Sequence, residues 1–171
     1  MGICFSKNTD NIKSMDLIDI NFSDVEYFSL NGKTFNGKIV DVYDGDTCTI
    51  VIILDGKLIK FKCRCNGYDS PEMRPLKSIP NRDKVIENAN KAKNFFINNV
   101  SNLKLDINKV YTKNELNELF LNNNMLIEIK TYNWDKYGRL LAAFYNNNIN
   151  INDMMIEKGY GYAYDGGTKH S

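Results

Sequence analysis

Residues 47–65 constrain the fold more than any other stretch. Thr47-Cys48-Thr49-Ile50-Val51-Ile52-Ile53-Leu54 is β-branched and largely apolar, which suits a central strand. Asp55-Gly56 comes next and is a two-residue hairpin signature. The chain then returns through Leu58 to Cys65. Side chains alternate across a strand, so Ile59, Phe61, Cys63 and Cys65 share one face and Lys60, Lys62 and Arg64 the other. The first face suits a core. Lys60 and Lys62 suit a solvated face, whereas Arg64 leads straight into an acidic loop.

The flanking segments mix strands and helices. Residues 1–30 carry no period and read as an arm, leaving residues 31–171 as the folded domain. The β pattern starts at Thr34, with a short strand at Lys38–Val42. Pro71, Pro75 and Pro80 make residues 70–81 a loop. Val85, Ala89, Ala92 and Phe96 recur at helical spacing within Arg82–Asn99. Thr112 and Glu115 form a capping box that opens a shorter helix. Met125–Thr131 and Arg139–Tyr145 read as strands, and Ile151–Lys158 as a helix stopped by Gly159. The asparagine runs 122–124 and 146–148 read as turns.

Several function classes are disfavoured by what the chain lacks. A net charge of +1 gives no global basic field, so any polyanion must be held by a local cluster. The cysteines Cys4, Cys48, Cys63 and Cys65 form no Cys-x-x-Cys pair, and His170 is the single histidine, which argues against structural zinc. Cys63 and Cys65 read as small buried apolar residues, and no disulfide framework is expected. No apolar run is long enough to span a membrane. His170 lies next to the C-terminus, so any acid–base work is expected from carboxylates and not from an imidazole.

The first six residues, Met1-Gly2-Ile3-Cys4-Phe5-Ser6, fit the pattern for myristoylation at Gly2, with Cys4 placed for a palmitoyl chain. Two lipids hold a protein on a membrane where one holds it only marginally. A cytoplasmic protein attached to the cytosolic face of a membrane is the expectation.

Chemistry concentrates in three places. Tyr43-Asp44-Gly45-Asp46-Thr47 is followed by Arg64 and Asp69-Ser70-Pro71-Glu72, and later by Asp135-Lys136-Tyr137-Gly138-Arg139. Carboxylates hold hard cations through oxygen, and arginines clamp phosphates with parallel hydrogen bonds. Together these types describe metal-assisted cleavage of a phosphodiester. Taken singly, each acid has an equally good reading as a turn, cap or solvated loop residue.

These three motifs, in this order and each at a strand end, resemble the staphylococcal nuclease family over roughly residues 35 to 165. The resemblance implies an α+β fold, an OB-type five-stranded β-barrel with packed helices. It implies Ca2+ held by Asp46, Asp69 and the main-chain carbonyl of Ser70, with Glu72 positioning or deprotonating the attacking water. Arg64 and Arg139 would bind the scissile phosphate, and Lys136 and Tyr137 a neighbouring one. Asp44 reads as a turn residue or a partner behind the ligands. One of Tyr160, Tyr162 and Tyr164 is expected in the nucleotide pocket, while Trp134 reads as packing. The implied activity is calcium-dependent hydrolysis of DNA and RNA, single strands favoured, leaving 3′-phosphate ends. The chain is expected to act as a monomer. Relative to the family, the segment 101–124 is longer and Ser70 replaces a common threonine. The competing reading is a non-catalytic OB module that binds nucleic acid or protein, tethered to a membrane; fold alone does not decide between them.

Overall fold

The structure, a computed structural model, describes residues 20–164. The strands are β1 (Thr34–Val42), β2 (Thr47–Leu54), β3 (Lys57–Cys65), β4 (Tyr68–Asp69), β5 (Ile127–Trp134), β6 (Leu140–Asn146), β7 (Ile149–Asn150) and β8 (Tyr162–Ala163). The helices are α1 (Arg82–Val100), α2 (Lys113–Leu121) and α3 (Ile151–Glu157).

The hairpin forms where the sequence places it. β2 and β3 pair antiparallel from Thr47↔Arg64 to Leu54↔Lys57. Asp55 and Gly56 both take positive φ, 49° and 75°, the handedness that lets two residues reverse a twisted ribbon. β1 pairs with β2 and β5, β5 with β6, and β6 closes onto β3 in parallel. The result is a closed five-stranded mixed barrel, with β7 added at the edge of β6. Closure aligns Thr47 with Arg64 and Arg64 with Leu141, so three strands meet at the same end of the barrel.

The barrel interior is filled by Ile39, Ile50, Ile52, Cys48, Cys63, Cys65, Ile129, Leu140 and Phe144, all buried. Cys48, Cys63 and Cys65 are free thiols. Burial pushes the Cys63 thiol up to about 12, so it packs as a small neutral side chain. α1 lays Ala89, Ala92, Phe96, Ile97 and Val100 over the barrel, with Phe96 edge-on to Phe144 at 5.7 Å. α2 contributes Leu116 and Phe120, and α3 Ile151 and Met155. Both halves of the Thr112/Glu115 capping box are made. The core reaches back to Leu30, which is fully buried.

Several boundaries differ from the sequence reading: β1 runs from Thr34, and β6 starts one residue after Arg139. β5 starts at Ile127 and runs on to Trp134, leaving Leu126 exposed outside the strand. Pairing with β1 and β6 carries the strand through Tyr132-Asn133-Trp134, which have no apolar alternation to announce it. The two-residue strands β4, β7 and β8 are also additions, too short to show a period. Gly2, Cys4 and His170 lie outside the described residues.

Candidate active site

The chemistry-bearing residues gather at one end of the barrel. Asp46 is the last residue before β2, Arg64 stands near the end of β3, Asp69 ends β4, and Arg139 immediately precedes β6. The turn that carries Asp46 is closely packed at position 45. A Cβ there would meet Ser70 Cβ at 2.8 Å and Ala92 Cβ at 3.0 Å, and the Tyr68 hydroxyl donates to the Gly45 carbonyl. This close approach seats the acidic turn against β4 and α1.

Asp46 and Asp69 are both buried, at 2% and 1% exposure. Arg64 holds them together. Its Nη1 donates to Asp46 Oδ1 at 2.6 Å and its Nη2 to Asp69 Oδ1. The Ser70 amide donates to Asp46 Oδ2 at 2.7 Å, and Thr47 Oγ1 to Asp46 Oδ1 at 3.0 Å. Tyr162 donates its hydroxyl to Asp69 Oδ2 at 2.8 Å from β8, which pairs with β4 at Asp69↔Tyr162.

The electrostatics are those of a site with too much buried negative charge. Burial, then the nearby Asp44 carboxylate, pushes Asp46 up to about 7, against the pull of Arg64 and the Ser70 amide; the neighbouring Asp69 adds to the rise. Burial works against the Arg64 charge, but Asp46 and Asp69 outweigh it and hold the guanidinium protonated far above any working pH. Burial and the hydrogen bond to Asp69 keep the Tyr162 phenol above its ordinary value, so it stays a donor.

Arg139 is set by a tight turn. Asp135 Oδ1 accepts from the Tyr137 and Arg139 amides at 2.8 and 2.9 Å, and Oδ2 from Arg139 Nε at 2.7 Å. Partial burial opposes the Asp135 charge, but the Arg139 amide and guanidinium prevail and hold its carboxyl below the usual range. Arg139 Nη1 reaches Thr47 Oγ1 at 3.5 Å, so Thr47 links the second arginine to Asp46. Arg64, Arg139, Lys136, Tyr137 and Tyr164 line one open cavity of about 340 Å³ beside the acids. Tyr137 is exposed, with Lys136 Nζ 5.1 Å and Arg139 Cζ 5.4 Å from its ring centre.

The structure therefore brings Asp46, Arg64, Asp69 and Ser70 into one hydrogen-bonded cluster and places Arg139, Lys136 and Tyr137 on the adjoining cavity. Glu72, three residues past Asp69, is exposed. Among the described residues no group of three or more His, Cys, Asp or Glu is close enough to hold a metal ion. The buried carboxylates of the cluster are Asp46 and Asp69. Two adjacent buried carboxylates against one guanidinium fit a hard cation in donor type and in charge, with water supplying much of its shell.

The three tyrosines near the C-terminal end take different places. Tyr160 stacks on Phe95 at 4.3 Å, Tyr162 holds Asp69, and Tyr164 lines the cavity with its ring 5.8 Å from Arg64 Cζ. Trp134 packs on Phe61 at 5.8 Å and is partly exposed. The contacts that sequence reasoning missed are those of Tyr162 with Asp69, of Thr47 with Asp46 and Arg139, and of Asp135 as the anchor of Arg139. The last had a local signal, an aspartate opening a glycine-containing turn that ends in arginine.

Residues 62–170, more than half of the chain, match the family model described as staphylococcal nuclease homologue. That span holds Arg64, Asp69, Glu72, Asp135 and Arg139; Asp46 precedes it and joins through its hydrogen bonds. No curated protein matches the chain significantly. The match and the closed barrel go with a nuclease-like or nucleic-acid-binding role, and the chain belongs to the staphylococcal nuclease family.

Proposed function

We propose that this protein is a calcium-dependent nuclease that hydrolyses phosphodiester bonds of DNA and RNA, single strands preferred, leaving 3′-phosphate ends. The observation that carries this reading is the Asp46–Arg64–Asp69 cluster beside a cavity lined by Arg64 and Arg139. Asp46, Asp69 and the Ser70 carbonyl would hold Ca2+, which supplies a positive charge that polarises the phosphoryl oxygens. Lys136 and Tyr137 hold the neighbouring phosphate at the cavity rim, and Tyr164 offers a ring to the base or sugar.

Glu72 accepts a proton from water as its oxygen attacks phosphorus. The bond from phosphorus to the 5′ oxygen breaks, that oxygen takes up a proton from solvent, and the phosphate remains on the 3′ side. Negative charge gathers on the non-bridging oxygens in the transition state, and Arg64 and Arg139 present fixed guanidinium donors there. Such donors are worth about 3–4 kcal/mol each in a shielded site. Histidine is not required in this scheme.

The N-terminal hexapeptide supports a lipid attachment at Gly2 and Cys4, and hence action at the cytosolic face of a membrane. None of the helices among the described residues is long and apolar enough to cross a membrane.

The test is incubation of the protein with end-labelled single-stranded DNA and RNA in calcium or in chelator. Calcium-dependent cleavage whose products need phosphatase treatment before 3′ extension is expected. Folded protein that binds these strands in calcium without cutting them points instead to a nucleic-acid-binding module.

A further inference from the structure

A second cleft, of about 290 Å³, is lined in part by residues that flank the acidic segments in the chain. Tyr43 and Asp41 come from the end of β1, Arg74 from the loop after Glu72, Lys93 from α1, and Lys113 and Leu116 from α2. Both acid-bearing segments run directly into it: Tyr43 precedes Asp44, and Met73-Arg74 follow Glu72. Lys93 follows Ala92, the residue of α1 that packs on Gly45. The cleft is thus lined in part by chain neighbours of the acidic residues and is distinct from the cavity that holds Arg139.

Three cations meet one carboxylate along the lining. Burial holds the Lys93 ammonium below the ordinary lysine value, and Lys113 adds to that, while Asp41 and Asp44 oppose it. Lys113 is the first residue of α2, where the helix dipole favours acids over bases. Tyr43 stands beside these cations with half of its surface exposed. Cations along a groove with an exposed aromatic ring are the combination that tracks a single strand, the charges on phosphates and the ring on a base.

We propose that this cleft is a distal subsite for single-stranded nucleic acid, in which Arg74, Lys93 and Lys113 take backbone phosphates beyond the scissile bond and Tyr43 stacks on a base. The long segment 101–124 then has a role, since its helix α2 supplies one wall. The proposal rests on the nuclease reading for the direction of the strand across the acids, and the experiment separates the two.

The test uses the full chain silenced by Glu72→Gln, with fluorescein-labelled oligothymidylates of two and twelve nucleotides, in calcium at several salt concentrations. Arg74→Gln with Lys113→Gln is the first variant, because both side chains are exposed and unneeded for the core; Tyr43→Ala is the second. With the melting temperature unchanged, the double variant is expected to weaken the twelve-mer on the order of tenfold and leave the dinucleotide unaffected. The slope of log affinity against log salt becomes shallower by about 1.4 for two lost phosphate contacts. Equal twelve-mer affinity and slope in parent and variants overturn the subsite, even if the active chain cleaves DNA. Loss of twelve-mer affinity in a chain whose unsilenced form never cleaves keeps the subsite and sinks the nuclease reading. Binding of neither oligonucleotide overturns both.

Discussion

Arg64 Nη1 lies 2.6 Å from Asp46 Oδ1, and the other arm of the same guanidinium reaches Asp69. Only 12% of the Arg64 side chain is exposed, so this is a buried counter-ion for two buried acids. Removing one member of such a cluster strands the others. Arg64→Ala is expected to lower folding stability by about 3–5 kcal/mol at pH 8, read by urea denaturation. A loss below about 1 kcal/mol would mean that water already solvates the two carboxylates.

Tyr162 donates to Asp69 Oδ2 without lining the cavity of Arg64 and Arg139. It acts through Asp69 by fixing the direction of a carboxylate. Partners of this kind tune metal affinity by about 10- to 100-fold. Tyr162→Phe keeps the ring and deletes the hydroxyl. In the proposed calcium site, calorimetric titration with calcium should show affinity reduced within that range in a protein that melts normally. Unchanged calcium affinity would leave the hydroxyl with no part in holding Asp69 for the ion.

Gly45 is held where a Cβ would press on Ser70 and Ala92. Overpacking of this kind costs roughly 1–3 kcal/mol. Gly45→Ala should lower the melting temperature and also weaken calcium binding at the proposed site, because relief of the contact moves the turn that carries Asp46. A variant that melts and binds as the parent does would show that the turn has slack.

Glu115 closes the capping box of α2 by accepting from the Thr112 amide and hydroxyl, and Lys109 Nζ lies 3.0 Å away. The Thr112 amide first, and then Lys109, lower its carboxyl to about 2. A depressed acid stabilises the fold above its unfolded value of about 4.3, and that contribution is lost as pH falls through the folded value. Glu115→Gln retains the hydrogen-bonding shape of the cap but not the charge. Melting curves of parent and Glu115→Gln should differ at pH 6 and converge as pH falls towards 2. A gap that stays constant with pH would assign the effect to shape.

Legibility in the sequence tracks the range of the interactions. The β2–β3 hairpin and the α2 cap are local: alternation, Asp55-Gly56 and the Thr112/Glu115 spacing are each contained within one element. The family resemblance supplied the barrel, and Asp46, Arg64, Asp69 and Arg139 stood out because motifs mark them. Their partners did not stand out. Tyr162 meets Asp69 across 93 residues through strands of two residues each, which have no period to detect. The tyrosines at 160, 162 and 164 alternate as if on one face, yet only 162–163 is strand, so the three side chains diverge. The motifs mark Arg64 for phosphate alone; its double contact with the acids depends on how the segments around β2, β3 and β4 come together at one end of the barrel.

In the proposed reaction Glu72 drives water onto a phosphodiester held by Arg64 and Arg139. The decisive quantity is the single-turnover cleavage rate of single-stranded DNA in saturating calcium, for the parent chain and Glu72→Gln. A rate lower by about 10²- to 10⁴-fold in the variant, with strand affinity retained, is expected of a lost general base. Cleavage by Glu72→Gln at the parent rate would contradict that role.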